Sequence, residues 1–281
     1  MANPNEVLTP KLTPTQFKRL GQFIHTNYGI QMPESKKVLL EGRLQKRLKA
    51  NNLEDFTQYI DFLFSKQGQI RELQHFVDAV STNKTDFYRE PHHFKFLREE
   101  YLPEFSKSKN HVKIWSAAAS SGEEIYTLAI ELREYMEEHR GFTYEILGTD
   151  ISTEILQRAA KGVYEEKRIE IIPLHIKRKY FLKSKNRENK SVKVNKVLQQ
   201  NLKLRTLNLM GSLAGIPNDF DLIFCRNVLI YFNRKVQEKV INALCAKLKP
   251  GGFIFLGHSE SITGITAPLT QIAPTIYKYT P

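Results

Sequence analysis

A short apolar run in the C-terminal half places the strongest limit on how this chain folds. Residues Phe220–Cys225 hold a single charged side chain, Asp221, among five apolar ones. Such a run predicts a strand buried on both faces, as in parallel sheets covered by helices. The polar residues Arg226, Asn227 and Tyr231 follow at once. Because open α/β sheets bind ligands beyond the carboxyl ends of their strands, this segment also predicts where a site lies.

From His111 onwards, strand-like and helix-like patterns alternate, which is typical of a parallel α/β sheet. The predicted strands are Val112–Ser116, Tyr144–Thr149, Phe220–Cys225, Gly252–Gly257 and an edge strand, Ile272–Tyr279. Helices are predicted at about 122–139, 152–160 and 234–248, and a turn at Lys249–Gly252. Three short segments predict an antiparallel insert, Tyr180–Lys183, Ser191–Val194 and Leu202–Arg205, the last of which can continue into the main sheet.

The first ninety residues carry only helical patterns. Thr13-Pro14 is a typical helix start, and further helices are predicted from Pro33 and over roughly 54–65 and 69–80. We therefore expect a helical N-terminal domain with its linker over 1–90. The α/β domain would cover 91–281, with the β insert at about 162–203.

Composition excludes several classes of protein. Two cysteines, Cys225 and Cys245, form neither a disulfide framework nor a four-cysteine zinc site, and no metal site is predicted. Met1–Glu6 lacks the features of a signal peptide, and no apolar stretch is long enough to span a bilayer. We therefore expect a cytoplasmic protein without membrane insertion, and a monomer, because no long apolar stripe is left unused.

The net charge of +12 implies an anionic partner. Residues 160–205 hold 14 Lys/Arg against 4 Asp/Glu, and the predicted helix at 36–49 is also strongly basic. At the strand ends, the small-residue loop Ala117–Glu124 has one glycine where a dinucleotide loop has three, and its two carboxylates would repel a pyrophosphate. Asp150 ends the second strand, where an acidic residue accepts ribose hydroxyls. These features favour a positively charged nucleoside, and S-adenosylmethionine fits that description.

Two other enzyme classes are excluded by motif. Gly257–Ser261 resembles a nucleophile elbow but is one residue short, and no Asp, Glu or His follows Glu260 to complete a hydrolase triad. A Gly-Lys-Ser/Thr phosphate loop is also absent from the sequence, which argues against an NTPase.

Five blocks, in order along nearly the whole chain, resemble the CheR-type chemotaxis receptor methyltransferases: Ser81–Glu90, Ile114–Glu124, Gly148–Ser152, Phe224–Phe232 and Leu248–Phe253. The resemblance implies a Rossmann-like methyltransferase domain, a small all-α N-terminal domain and an inserted antiparallel β-subdomain. It also implies methyl transfer from S-adenosylmethionine to glutamate carboxylates of chemoreceptors in sensory adaptation, with S-adenosylhomocysteine as product.

By position, the resemblance implies catalytic roles for Arg89 and Tyr231. It implies a cofactor site formed by Asn83, Thr85, Arg89, Ala118, Glu123 or Glu124, Asp150, Asn208, Leu209, Arg226, Asn227 and Val228. A glutamate carboxylate is ionised at neutral pH, so the reaction needs placement and exclusion of water rather than a base. Arg89 would orient that carboxylate.

The resemblance also implies a role for the basic helix in binding the substrate, because the family's substrates are receptor helices rich in Glu. The candidate contacts are Lys36, Lys37, Arg43, Lys46 and Arg47. Some members also bind a receptor tail, but the turn 184–190 lacks the glycine-containing signature, so direct docking is expected. Two alternatives stay open: a nucleic-acid methyltransferase, although Arg226–Leu229 lacks the Asn/Asp-Pro-Pro-Tyr pattern, and a non-catalytic CheR-like regulator.

Overall fold

The fold is described from a computed structural model for residues 10–186 and 188–281. The expectation about Met1–Glu6 lies outside the described residues, as does Arg187 within the turn 184–190. Contacts divide the chain into two compact units, and the division falls between Thr82 and Asn83.

The first unit is helical, as predicted. Its helices are α1 (Pro14–Tyr28), α2 (Lys37–Ala50), α3 (Phe56–Phe64), α4 (Lys66–Arg71) and α5 (Leu73–Val80). The single helix expected over 69–80 is therefore two helices. Ser65 caps α4 by accepting a hydrogen bond from the Gly68 amide, so the helix begins earlier, and the chain leaves regular geometry at Glu72.

A buried carboxylate organises this helical unit. The Glu72 side chain is 1% exposed, and Arg47 on α2 donates to its two oxygens at 2.8 and 2.7 Å. Asn51 and the Tyr59 hydroxyl also donate to Glu72, at 2.9 and 3.0 Å. These bonds fix α2 and α3 against α5, since a buried charge is tolerated only when it is paired and hydrogen-bonded.

The second unit contains ten strands and six helices within its described residues. The strands are β1 (His111–Ser116), β2 (Thr143–Asp150), β3 (Val163–Glu165), β4 (Phe181–Lys183), β5 (Ser191–Val194), β6 (Leu202–Thr206), β7 (Phe220–Cys225), β8 (Leu248–Leu256), β9 (Leu269–Ala273) and β10 (Ile276–Tyr279). The helices are α6 (Pro91–Phe96), α7 (Leu102–Phe105), α8 (Glu123–Glu138), α9 (Thr153–Lys161), α10 (Leu174–Tyr180) and α11 (Arg234–Cys245). A π-helical turn, Leu97–Tyr101, joins α6 to α7.

Seven strands form one twisted sheet in the order β6-β2-β1-β7-β8-β10-β9. The first five are parallel, and β10 and β9 are antiparallel. All six residues of Phe220–Cys225 are buried, which confirms a strand covered on both faces. The only tryptophan, Trp115, lies fully buried in β1, and its indole donates to the Thr149 hydroxyl at 2.9 Å.

Three details differ from the sequence expectations. The expected final strand is a hairpin, because the chain turns at Thr275, whose φ is 59°. The predicted turn at Lys249–Gly252 lies inside β8, where a register shift opposite Phe220–Leu222 accommodates it. Leu202–Thr206 pairs in parallel with β2 in the main sheet, and the small sheet has the order β3-β5-β4. None of the helices among the described residues is long and apolar enough to cross a bilayer.

Candidate active site

The carboxyl ends of β1, β2 and β7 lie side by side, because β1 pairs with both of the other strands. The loop after β1, Ala117–Gly122, therefore neighbours Asp150 at the end of β2 and Arg226 after β7. Cys225 also pairs with Leu256, which brings the residues after β8 to the same edge. The structure thus places the predicted site residues of β1, β2 and β7 at one edge of the sheet, beside the residues that follow β8.

The segment Asn83–Glu90 is tied to the loop after β1. The Ser120 hydroxyl donates to the Asn83 carbonyl at 3.2 Å. Arg168 donates to the Thr85 carbonyl and pairs with both Asp86 and Glu123. The predicted site residues Asn83 and Thr85 are therefore brought to the start of α8, and Arg168 is a contributor that the sequence did not single out.

Glu123 and Glu124 begin α8, and both carboxylates are bound by guanidinium groups. Glu123 pairs with Arg168 at 2.5 Å and accepts from the Ser121 hydroxyl at 2.6 Å. Glu124 pairs with Arg226 at 3.0 Å and accepts from Ser116 at 2.7 Å. Burial raises the pKa of Glu124, and Arg226 opposes that shift. Direct contact of either glutamate with the cofactor stays a prediction, and what the structure shows is their role in joining segments.

Arg226 is buried, with a side chain only 2% exposed. Besides Glu124, it pairs with Glu90 at 3.1 Å and donates to the Arg89 carbonyl. Direct contact of Arg226 with the cofactor stays a prediction, and what the structure shows is a guanidinium that donates to protein acceptors.

The Glu90 carboxylate contacts several side chains of the site, and the sequence did not single it out. The carboxylate accepts from Asn227 Nδ2 at 3.1 Å and lies 3.0 Å from His258 Nδ1. Burial pushes the pKa of Glu90 upward, but the Arg226 charge and the hydrogen bonds from His258 and Asn227 lower it to about 2. Glu90 is therefore ionised at neutral pH and cannot serve as an effective base.

Glu260 holds the loop that follows β7. The Glu260 residue is 6% exposed and accepts from the amides of Gly257, Asn227 and Leu229 at 2.6, 2.9 and 2.7 Å. Burial raises the pKa of its carboxyl, while the amide bonds oppose that shift. Asn227 and Val228, both half-buried, are thereby fixed beside the strand end. The sequence analysis considered Gly257–Ser261 only as a possible nucleophile elbow and did not predict this role of Glu260.

Non-glycine residues in left-handed conformations concentrate at this edge: Tyr88, Glu90, Ser120 and Asn227 have φ of 53°, 57°, 50° and 58°. Each such residue costs on the order of 1 kcal/mol and persists only where its surroundings hold it. Strain of this kind clusters at functional sites, so it supports the location derived from the sheet.

The proposed catalytic residues lie on segments held in this way. Arg89 is partly exposed, and its Nη1 donates to the Lys84 carbonyl at 2.8 Å, within its own loop. Tyr231, also partly exposed, ends the short 3₁₀ turn Leu229–Tyr231 directly after β7. Their roles toward a substrate stay predictions.

The remaining cofactor residues lie near the same edge. Asp150 accepts from the Ser120 amide at 2.9 Å and from the Ser152 amide at 3.0 Å. Ala118 lies half-buried in the loop after β1. Asn208 and Leu209 follow β6, and the Asn208 side chain accepts from the Met210 amide at 3.0 Å.

The matches to known sequences decide the family. Residues 83–278 match the description "CheR methyltransferase, SAM binding domain" and residues 15–81 match "CheR methyltransferase, all-alpha domain". The chain belongs to the CheR methyltransferase family. The resemblance seen in the sequence, the predicted fold class and the assignment as an S-adenosylmethionine-dependent methyltransferase are therefore confirmed.

Curated relatives of this methyltransferase cover almost the whole chain. The chemotaxis protein methyltransferase of Borreliella burgdorferi is 39% identical over 277 residues, covering 96% of this chain and 96% of that protein. The chemotaxis protein methyltransferase of Salmonella typhimurium is 33% identical, covering 95% and 90%. That of Escherichia coli is 32% identical, covering 95% and 91%.

One residue of the methyltransferase site fits its cofactor chemically. The acceptor-only carboxylate of Asp150, at the end of β2, suits ribose hydroxyls. Gly122, with φ of 98°, lets the loop close, because a side chain there would come within 2.9 Å of the Tyr164 hydroxyl. Within residues 10–186 and 188–281, no group of three His, Cys, Asp or Glu residues is arranged to hold a metal.

The predicted partner residues of the helical unit divide into two kinds. Arg43 donates to the carbonyls of Ala79 and Ser81 at 2.9 and 2.8 Å, and Arg47 is bound by Glu72. These two arginines hold the unit together. Lys36 and Lys37 are partly exposed and Lys46 is exposed, so these lysines are the better candidates for contact with a partner.

Proposed function

We propose that this methyltransferase esterifies glutamate side chains of chemoreceptors in sensory adaptation, producing glutamate methyl esters and S-adenosylhomocysteine. The observation that carries the proposal is Arg89, a partly exposed cation on a loop fixed at the carboxyl edge of the sheet. A guanidinium suits an anionic acceptor, because its forked donors match a carboxylate in both charge and geometry.

The chemistry needs placement rather than proton transfer. S-adenosylmethionine supplies an activated methyl group that leaves behind a neutral thioether. Asp150, Asn208, Leu209, Asn227 and Val228 would hold the nucleoside, and Arg89 would align the acceptor. The carboxylate oxygen forms the new O–CH₃ bond and loses its negative charge, so no base is required.

Tyr231 would support the acceptor from the other wall. It lies six residues after Cys225, the buried end of β7, on the loop that Glu260 holds. A phenolic hydroxyl can donate one hydrogen bond to a carboxylate without competing for its second oxygen. The negative charge of the acceptor would thereby be shared between Arg89 and Tyr231.

Receptor docking would use the exposed side of α2. Val38 and Leu39 on this helix are 80% and 50% exposed, and Lys37 and Lys46 lie on the same helix. A receptor helix rich in Glu would be steered by the lysines and would cover the apolar side chains. We also propose that the two compact units correspond to two domains, and that the protein acts as a monomer.

The test is a transfer assay with tritium-labelled S-adenosylmethionine. Receptor-bearing membranes should acquire label that mild base releases as methanol, because esters are base-labile and N-methyl groups are not. Arg89→Ala should remove this label, and the same assay with bulk RNA should give none. Base-stable label on RNA would instead support a nucleic-acid methyltransferase, and S-adenosylhomocysteine binding without transfer would support a non-catalytic regulator.

A further inference from the structure

The buried guanidinium of Arg226 donates hydrogen bonds to three different residues. It donates through Nη1 to Glu124 at 3.0 Å, through Nη2 to Glu90 at 3.1 Å, and to the Arg89 carbonyl. Its Cζ atom also lies over the Phe94 ring, 5.4 Å from the centroid. The planar fork of arginine is suited to holding several acceptors at fixed angles, which a lysine ammonium is not.

The bonds of Arg226 join three separate segments of the chain. Arg226 itself follows β7, Glu124 lies in the first turn of α8, and Glu90 immediately precedes α6. The Arg226 side chain, 2% exposed, is therefore a buried bridge between the main sheet and the segment that carries Arg89. A buried guanidinium between two carboxylates is stable only in a fixed geometry, so the bridge restricts all three segments.

The segment that Arg226 holds is strained on both sides of Arg89. Tyr88 and Glu90 have φ of 53° and 57°, and such residues revert to ordinary backbone geometry unless other contacts hold them. On the Tyr88 side, the amide donates to Thr127 at 3.2 Å and the hydroxyl donates to Glu131 at 2.8 Å. On the Glu90 side, Arg226 binds both the Arg89 carbonyl and the Glu90 carboxylate, and Asn227 and His258 contact that carboxylate as well.

The direction of the Arg89 side chain therefore depends on its main chain. Its guanidinium donates to the Lys84 carbonyl within the same loop. That bond moves with the loop and does not fix the loop relative to the sheet. The bond from Arg226 to the Arg89 carbonyl does fix it, because Arg226 extends from the end of the buried strand β7.

We propose that Arg226 is a positioning residue for Arg89, and that it sets the direction from which the Arg89 guanidinium reaches the methyl-accepting carboxylate. This inference deepens the proposed function and rests on it for the role of Arg89. Loss of the Arg226 fork should impair transfer while leaving cofactor affinity nearly unchanged.

The first test is structural and does not depend on activity. Arg226→Lys keeps the charge but cannot serve all three acceptors. Hydrogen exchange, followed by mass spectrometry, should become at least about tenfold faster at the amides of Tyr88 and Arg89, while β1 peptides stay unchanged. Arg205→Lys is the matched control, because Arg205 also donates to a loop carbonyl, that of Gly215, which lies outside the segments that Arg226 joins. Unchanged exchange at Tyr88 and Arg89 would overturn the proposal.

The second test is a double-mutant cycle in the transfer assay. Arg226→Lys should lower kcat about thirtyfold and leave the Kd for S-adenosylhomocysteine within about threefold. In an Arg89→Ala background, Arg226→Lys should cause no further loss, because it acts through Arg89. Multiplicative losses, or a parallel loss of kcat and cofactor affinity, would refute the positioning role.

The outcomes distinguish an error in the proposed function from an error in the positioning role of Arg226. If wild-type protein methylates no receptor, the proposed function is wrong, while the exchange measurement still decides whether Arg226 holds the Arg89 segment. If Arg226→Lys does not fold, Glu90→Gln examines the same contact from the other side and should also accelerate exchange at Arg89. Slow exchange in the Glu90→Gln protein would then count against the proposal.

Discussion

Replacement of Glu260 by glutamine should loosen the loop that carries Asn227 and Tyr231. In the wild-type protein, Oε2 accepts from the amides of Gly257 and Asn227, at 2.6 and 2.9 Å, and Oε1 accepts from Leu229 at 2.7 Å. A glutamine has one oxygen and one NH₂ group. If the oxygen keeps the first two amides, the NH₂ group faces the Leu229 amide, and two donors oppose each other.

The cost follows from these contacts. One charge-assisted hydrogen bond is lost, worth about 1.5–3 kcal/mol, and a buried amide is left unsatisfied at about 1–3 kcal/mol. Because these two terms overlap, the expected loss of stability in the second unit is about 3 kcal/mol. For a folding unit of this size, that corresponds to a fall in Tm of roughly 6–12 °C.

Two measurements check this prediction. Differential scanning calorimetry gives the Tm, and titration calorimetry gives the Kd for S-adenosylhomocysteine, which should rise about tenfold because Asn227 and Val228 are proposed contacts. Glu166→Gln is the matched control, since Glu166 pairs with Lys183 at the protein surface, and it should change neither quantity. If Glu260→Gln retains both the wild-type Tm and the wild-type affinity, the reasoning about the loop is wrong.

Three further predictions concern charged groups. Arg89→Ala should lower methyl transfer at least about a hundredfold while the Kd for S-adenosylhomocysteine stays within about threefold; an equal loss of affinity would show that Arg89 holds the cofactor instead. The pKa of Glu90, about 2, lies below its unfolded value, so its stabilisation is complete above about pH 5 and disappears as the pH falls toward 2. Urea unfolding should show a loss of about 3 kcal/mol over that range, and Glu90→Gln should remove this part of the pH dependence; an unaltered profile would contradict it. Lys37→Glu combined with Lys46→Glu should raise the KM for receptor membranes several-fold at low salt and less at high salt, and an unchanged KM would exclude α2 as the docking surface.

Much of the fold could be predicted because its signals are local. The apolar run Phe220–Cys225 defined a buried strand to the residue, and Thr13-Pro14 defined the start of α1. Periodicity also located α8 and α11 to within three residues. Where two short elements meet without a strong breaker, periodicity was insufficient, so the α4–α5 pair and the β9–β10 hairpin were each predicted as one element.

The site could be predicted in its location but only partly in its contacts. Asp150 and Arg226 were expected near the strand ends because topology brings parallel strand ends together. The partners of Arg226 could not be predicted, because Glu90 lies 136 residues away in sequence and nothing local marks the pair. The same holds for Arg168, which was counted only as part of a basic cluster and instead holds Thr85, Asp86 and Glu123.

The single tryptophan offers a built-in reporter for studying how this protein unfolds. Trp115 is fully buried in β1, and its ring lies 5.5 Å from that of Phe220. Intrinsic fluorescence excited at the red edge therefore reports on the main sheet and does not report on helices α1 to α5. Circular dichroism records both. Comparing the two signals during one denaturant titration would reveal whether the two compact units unfold together or in separate steps, with no label attached.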